Sequence, residues 1–222
     1  MTDDEAKKFT TDIFESIKKS TTIEDLKKIP DELNVPIKNR MNLNFYPKIK
    51  FNIEPGEIHE LMENNLIDKE FNFTADLTSR IKDPLTKLLY ATLWKNGDLK
   101  KIKYIIKGII DSEKEINDQE NALVFYQFGK YLTKTTGQPI IDQHVIRAFA
   151  LYSSPEKKEF SAIRKLNVLN KKHKSFIHNY KYWFQSENLT NELKMTKDYS
   201  YHIDKVLFAV GKTIKISSNK KV

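Results

Sequence analysis

The chain has no cysteine among its 222 residues. That one absence excludes disulfides, thiolate zinc sites, iron–sulfur clusters and a cysteine nucleophile. No apolar run approaches the roughly 18 residues needed to span a bilayer, so no membrane partner is expected. The start, MTDDEAKKF, is acidic and polar and shows no secretory signal, which makes the cytoplasm the expected compartment. There is no P-loop, no dinucleotide-binding glycine fingerprint, no HExxH and no GxSxG. His59, His144, His173, His178 and His202 form no recognisable metal pattern. His173 and His178, five apart on a helix, point to different faces, so neither a metal nor a cofactor is expected. No internal repeat and no low-complexity linker is visible.

What is present is enough to build a core. Apolar residues make up 39% and aromatics 11%, which argues against wholesale disorder. The length suits one domain over 1–222 or two closely packed lobes. Charge is uneven. Residues 156–222 hold 15 Lys and Arg against 6 Asp and Glu, leaving 23 against 24 in residues 1–155. The excess of positive charge therefore lies in the last third, the pattern of a chain with a polyanion partner, and DNA is the expected one. The alternative is that a lysine- and asparagine-rich composition reflects the base composition of the genome.

Helical periodicity dominates. Phe9, Ile13 and Ile17 recur every four residues behind an acidic first turn. Asp83-Pro84 opens a helix whose apolar face is Leu85, Leu88, Leu89 and Leu93, and Asn96-Gly97 ends it. Asp98 is placed to cap the next helix, with Ile102, Ile105, Ile106, Ile109 and Ile110 on one face, so the pair forms an αα-hairpin. Gln119–Thr136 is apolar on more than one side, as a central helix would be. Thr135 to Pro139 breaks it. A helix carrying Val145, Ala148, Phe149 and Tyr152 then runs to Ser154-Pro155. Leu169, Phe176, Ile177, Tyr180 and Phe184 form the inner row of a later helix, with Lys171, Lys174, His178 and Lys181 along another face. The last helix runs from about Tyr199 to Ile214 before a lysine tail. Gly211 on it would let another helix approach closely. The exception is 43–53, where Leu43, Phe45, Ile49, Phe51 and Ile53 alternate around Pro47, as in an edge strand or extended crossing.

The most informative segment is PIIDQHVIR, Pro139 to Arg147. After a Gly-Pro break and an apolar pair, Asp142 leads a helix, with His144, Val145 and Arg147 in a D-x-H-V-x-R pattern. This resembles the helix-hairpin-helix DNA glycosylase superfamily over about residues 120–147. The resemblance implies an all-α, two-lobed fold, with residues 1–82 and 142–222 in one lobe and 83–141 in the other. It also implies that Asp142 is the catalytic carboxylate, stabilising the positive charge that develops on deoxyribose as a base departs or orienting the attacking water. The chemistry is coherent, because glycosidic cleavage passes through an oxocarbenium-like state that a fixed carboxylate favours. His144 is a candidate helper. Lys130, 12 residues before Asp142, could approach it across a shortened loop. Where members carry a glycine-containing hairpin, this chain has NALVFYQFGKYLTKTT, with Gly129 alone.

Such an enzyme extrudes its base onto aromatic surface, for which Tyr126, Trp94 and Trp183 are candidates. Arg147, Lys171, Lys174, His178 and Lys181 are candidate phosphate contacts. Each residue has a plainer role beside this one. Asp142 serves as a helix cap, His144 as a packing residue and Arg147 as an ion-pair donor, with Asp204 a candidate partner for it. The lysine stripe serves as a solvated face. Two functional classes remain beside the base-excision enzyme: a non-catalytic helical protein binding nucleic acid in regulation or defence, and a helical protein-interaction module.

Overall fold

The structure, a computed structural model, describes residues 1–112, 119 and 121–216. It is all-helical, with no strand among the described residues. In chain order the α-helices are α1 (Asp3–Lys19), α2 (Ile23–Glu32), α3 (Pro55–Glu63), α4 (Leu77–Arg80), α5 (Pro84–Lys95), α6 (Leu99–Ile110) and α7 (Leu123–Leu132). They continue with α8 (Gln143–Ser153), α9 (Lys157–Arg164), α10 (Lys174–Gln185), α11 (Asn191–Met195) and α12 (Tyr199–Thr213). Short 3-10 turns occupy Ile37–Asn39 and Lys171–His173. No helix among them is long and apolar enough to cross a membrane. The lysine tail expected after Ile214 lies, from 217 on, outside the described residues.

The chain forms two compact units, one of Met1–Lys48 with the chain from Gly137 onward, the other of Ile49–Thr136. The boundaries fall at 48/49 and 136/137, where lobe limits at 82/83 and 141/142 were expected. Residues 49–82 join the middle helices because Ile58 and Ile67 enter one core with Ile106 and Ile109.

In the first unit α8 is central. Seven consecutive residues, Val145 to Leu151, are buried, which requires neighbours on every side. α1, α9, α10 and α12 supply them. Full burial of a side chain such as Ile146 or Leu151 stabilises by about 1.5–3 kcal/mol, so this helix anchors the unit. Both of its ends are satisfied from outside. Asp142 caps the start, and Lys7 Nζ donates to the carbonyls of Leu151, Tyr152 and Ser154 at 2.9, 2.6 and 2.8 Å. A cation on the C-terminal carbonyls also complements the helix dipole. α12 crosses the beginning of α8 at Gly211, where an added Cβ would lie 2.0 Å from the His144 carbonyl oxygen.

In the second unit α6 and α7 cross through facing glycines. A Cβ on Gly108 would meet the Tyr126 carbonyl oxygen at 2.0 Å, and one on Gly129 would meet that of Ile105 at 2.1 Å. Gly129 therefore serves this crossing, and Leu123–Leu132 is one uninterrupted helix. The expectation of burial around α7 holds for Leu123, Tyr126 and Gly129 to Leu132, while Val124 and Phe128 are half-buried.

Two sequence expectations change. The leucine face of α5 is not core: Leu85, Leu88 and Leu89 are 63%, 65% and 56% exposed. No residue of α5 is buried; its inward side rests on half-buried Leu93 and Tyr90, whose ring lies 6.2 Å from Phe73. Residues 43–53 form a turn and irregular backbone rather than a strand, because Pro47 cannot donate to a ladder. Among the described residues only a single bridge, Ile67 to Phe73, has β pairing.

Candidate functional site

Asp142 sits at the N-cap of α8 in extended conformation, φ −129° and ψ 177°. Its Oδ1 accepts the backbone N–H groups of His144 at 2.7 Å and Val145 at 2.8 Å. Two of the donors that every helix start leaves open are thus satisfied. The carboxylate is half-buried. Burial raises its pKa, against the two N–H bonds and the Arg147 charge, which lower it.

His144 and Arg147, one turn apart, form a polar joint between α8 and α12. Arg147 is 0% exposed. Its Nη1 donates to the Gly211 carbonyl at 2.7 Å, and Nε and Nη2 donate to the Leu166 carbonyl, the former at 3.0 Å. Nη1 also lies 2.8 Å from His144 Nδ1. An arginine has no acceptor, so His144 Nδ1 must be unprotonated and accepting here. Burial first, and the Arg147 charge second, hold the His144 imidazole down at about 4. Burial also lowers Arg147, to about 10, which leaves it charged at neutral pH. Its planar fork fills backbone carbonyls inside the protein, so the phosphate contact expected of Arg147 has no surface to occur on. Asp204 is not its partner either. That carboxylate, 1% exposed, accepts the Tyr180 hydroxyl at 2.8 Å and the Ile140 N–H at 2.6 Å. Burial drives Asp204 well above the ordinary carboxylate range, and the nearby Asp142 charge adds to the rise. PIIDQHVIR is therefore tied to α12 at Ile140, His144 and Arg147, three points along its length.

The other expected site residues lie on other helices. Lys130 is 1% exposed on α7, its ammonium 5.4 Å from the Tyr126 ring centroid; it belongs to the second unit and Asp142 to the first. Tyr126 is 1% exposed, with its hydroxyl on Asp111 at 3.2 Å. Trp183 is buried, its ring 5.0 Å from Phe14 and 6.0 Å from Tyr180, and its Nε1 has no hydrogen-bond partner among the described residues. Burial takes both from the role of open stacking surface. Trp94, on α5, is exposed.

The basic stripe is different. α10 buries Ile177, Tyr180, Trp183 and Phe184. Lys174, His178 and Lys181 recur at i, i+4 and i+7, which places them together in a stripe beside the buried row. His178 is exposed and the two lysines are half-exposed. Tyr182, which the sequence reading missed, shares this face and is 71% exposed. Its position four residues after His178 was the signal available, and it was obscured by Tyr180 and Trp183 on either side. Lys171 and Lys172 extend the positive charge into the 3-10 turn before α10, and Lys165 is exposed on the same stretch of chain. Among the described residues no carboxylate lies within ion-pair distance of Lys165, Lys172 or Lys174.

The chain matches no family model, no curated protein and no solved structure. Among the described residues no group of three or more His, Asp or Glu is placed to hold a metal ion. The α8 start offers one carboxylate, a neutral imidazole and a guanidinium already bonded to carbonyls. The α10 face offers cations and an aromatic ring to solvent.

Proposed function

We propose that this chain is a non-catalytic helical protein that binds nucleic acid through the outer face of α10. The supporting observation is the shared face of Lys174, His178, Lys181 and the exposed Tyr182. Cations along a helix track phosphates, and an open aromatic ring gives a base a stacking platform. The burial of Arg147, Tyr126 and Trp183 weighs against the full base-excision constellation. The test is fluorescence anisotropy with a labelled single-stranded oligonucleotide across salt concentrations. Affinity should fall steeply with salt, and Lys174→Gln and Lys181→Gln should each reduce the slope by about 0.7. Tyr182→Ala should cost about 1–3 kcal/mol. Salt-independent binding, or variants indistinguishable from the parent, would refute the proposal and favour a protein partner for the basic face.

A second reading, base excision with Asp142 as the charge-stabilising carboxylate, draws on one observation. The cap uses Oδ1, and Oδ2 has no protein partner among the described residues. Duplexes carrying uracil, 8-oxoguanine or alkylated bases, followed by alkali, test it. Base release lost on Asp142→Asn supports it; no release from any substrate ends it.

A further inference from the structure

A second feature of the first unit lies between α2 and α12, beneath the chain at 40–43. It is a cavity of about 190 Å³. Its floor is apolar, built from Leu26 on α2 and Val206 and Ala209 on α12, all buried. Met41 and Leu43 form the wall on the loop side. That loop is held in place by Arg40, which also borders the cavity. Its guanidinium donates to Asp31 at 2.6 Å, to the Pro30 carbonyl at 3.0 Å and to the Val35 carbonyl at 2.9 Å. Arg40 is thus committed to the fold and already neutralised.

The remaining three polar lining residues are Lys27, His202 and Lys205. Lys27 has only an exposed pair with Glu24 at 2.6 Å, an arrangement that holds a lysine weakly. Lys205 and His202 are half-buried, and among the described residues no carboxylate lies within ion-pair distance of either. Lys205 leans on the Tyr201 ring, 5.7 Å from its centroid, and His202 stands edge-on to the same ring at 5.3 Å. Two acids act on His202 from beyond ion-pair distance: Asp198, which is paired with Lys48, and Glu24, which is paired with Lys27. Burial and the neighbouring Lys27 both depress Lys205, and Lys205, Lys27 and Lys48 all press on His202. The cavity therefore sets two lysines and an imidazole over an apolar floor, and of the three only Lys27 has a carboxylate partner, the exposed Glu24.

We infer that this cavity binds a small organic anion, with an apolar body on Leu26, Val206 and Ala209 and its charged head between Lys205, Lys27 and His202. The size fits: an apolar cavity of about 150 Å³ accommodates benzene, so this one accepts a single ring or a short alkyl chain. A head group here replaces water around the half-buried Lys205 ammonium with a charge-assisted bond. The head can be a carboxylate or a phosphate monoester, which the same cations would recognise.

The experiment titrates isotope-labelled full chain with 3-phenylpropionate and, in a second arm, phenyl phosphate, following backbone amide shifts. 3-Phenyl-1-propanol and 3-phenylpropylamine serve as neutral and cationic controls. The expected result is saturable shifts centred on Leu26, Lys205, Val206 and Ala209 with one or both anions, at least about tenfold weaker binding of the alcohol, and none of the amine. Lys205→Gln should weaken the anion about tenfold. Met41→Trp, which fills the cavity from the loop, should abolish binding while leaving the oligonucleotide affinity of the α10 face unchanged. Equal binding of acid and alcohol, shifts elsewhere, or no effect of either variant overturns the inference. So does a cavity that responds only to an oligonucleotide.

Discussion

Acid should loosen the joint between α8 and α12 through one residue, His144. Its Nδ1 accepts from the buried Arg147 guanidinium at 2.8 Å, and protonation would place two cations against each other. The imidazole is held down at about 4 in the fold and titrates near 6.5 when unfolded. A histidine whose folded pKa is depressed contributes stability that is present above the unfolded value. That stability is lost as pH falls toward the folded value, because the unfolded chain then binds the proton that the fold refuses. Between pH 7 and pH 4.5 the full shift corresponds to about 2.5 kcal/mol. Half-exposure of the ring allows solvent to screen part of this, which leaves about 1–2 kcal/mol. Urea unfolding of the parent and of His144→Asn at both pH values isolates the effect, since asparagine keeps a neutral acceptor that does not titrate. The variant should lose about 1–2 kcal/mol less than the parent on acidification. Equal losses, or an imidazole that titrates near 6.5 by NMR in the folded protein, would falsify this account of the joint.

Four further outcomes test the packing. Gly211→Ala gains about 1 kcal/mol of helix propensity but drives a methyl to 2.0 Å from the His144 carbonyl. Because backbone cannot rotate away, the net result should be a loss of about 1–3 kcal/mol in urea unfolding. Arg147→Ala leaves the Leu166 and Gly211 carbonyls without their donor and should cost about 3–5 kcal/mol; Arg147→Lys, which has no planar fork, should recover only part, judged by the denaturation midpoint. Asp142→Ala should cost about 1 kcal/mol and Asp142→Asn much less, because the amide oxygen still accepts both N–H groups; equal thermal losses would contradict the capping role. Leu88→Gln, on the exposed face of α5, should change stability by less than about 0.5 kcal/mol, and a core-sized loss would place that face inside.

Features set by neighbours in the chain were legible in advance. Asp83 caps α5 by accepting the Thr86 N–H at 2.6 Å, Pro84 follows it, and Gly97 turns with φ at +69°. Asp142 caps α8 as its position after the break implied. These interactions span two or three residues, so the sequence alone contains both partners. The same local logic overreached at Asp98, which stands at the start of α6 without a side-chain cap bond and pairs with Lys101 instead. Periodicity also identified α1, α5, α6, α7, α8, α10 and α12, and Ile177, Tyr180 and Phe184 of the buried row of α10, while α2, α3, α4, α9 and α11 went unread. Gly211 was recognisable as a point of close approach, though not what would approach it.

Only the tertiary structure decided which apolar faces found a partner and where the buried polar groups went. Leu85, Leu88 and Leu89 have the spacing of a core row, yet periodicity states that a face exists, not that another element covers it. Arg147 meets carbonyls 19 and 64 residues away, and Asp204 meets Tyr180 and Ile140 rather than a cation. No spacing rule reaches across such separations, because the pairing follows from how α8, α10 and α12 cross. PIIDQHVIR shows the division in one segment. Its break, cap and helix start are local chemistry and were written in the residues. The bonding of its histidine and arginine exists only once α12 lies across α8, and that crossing depends on the bare backbone of Gly211.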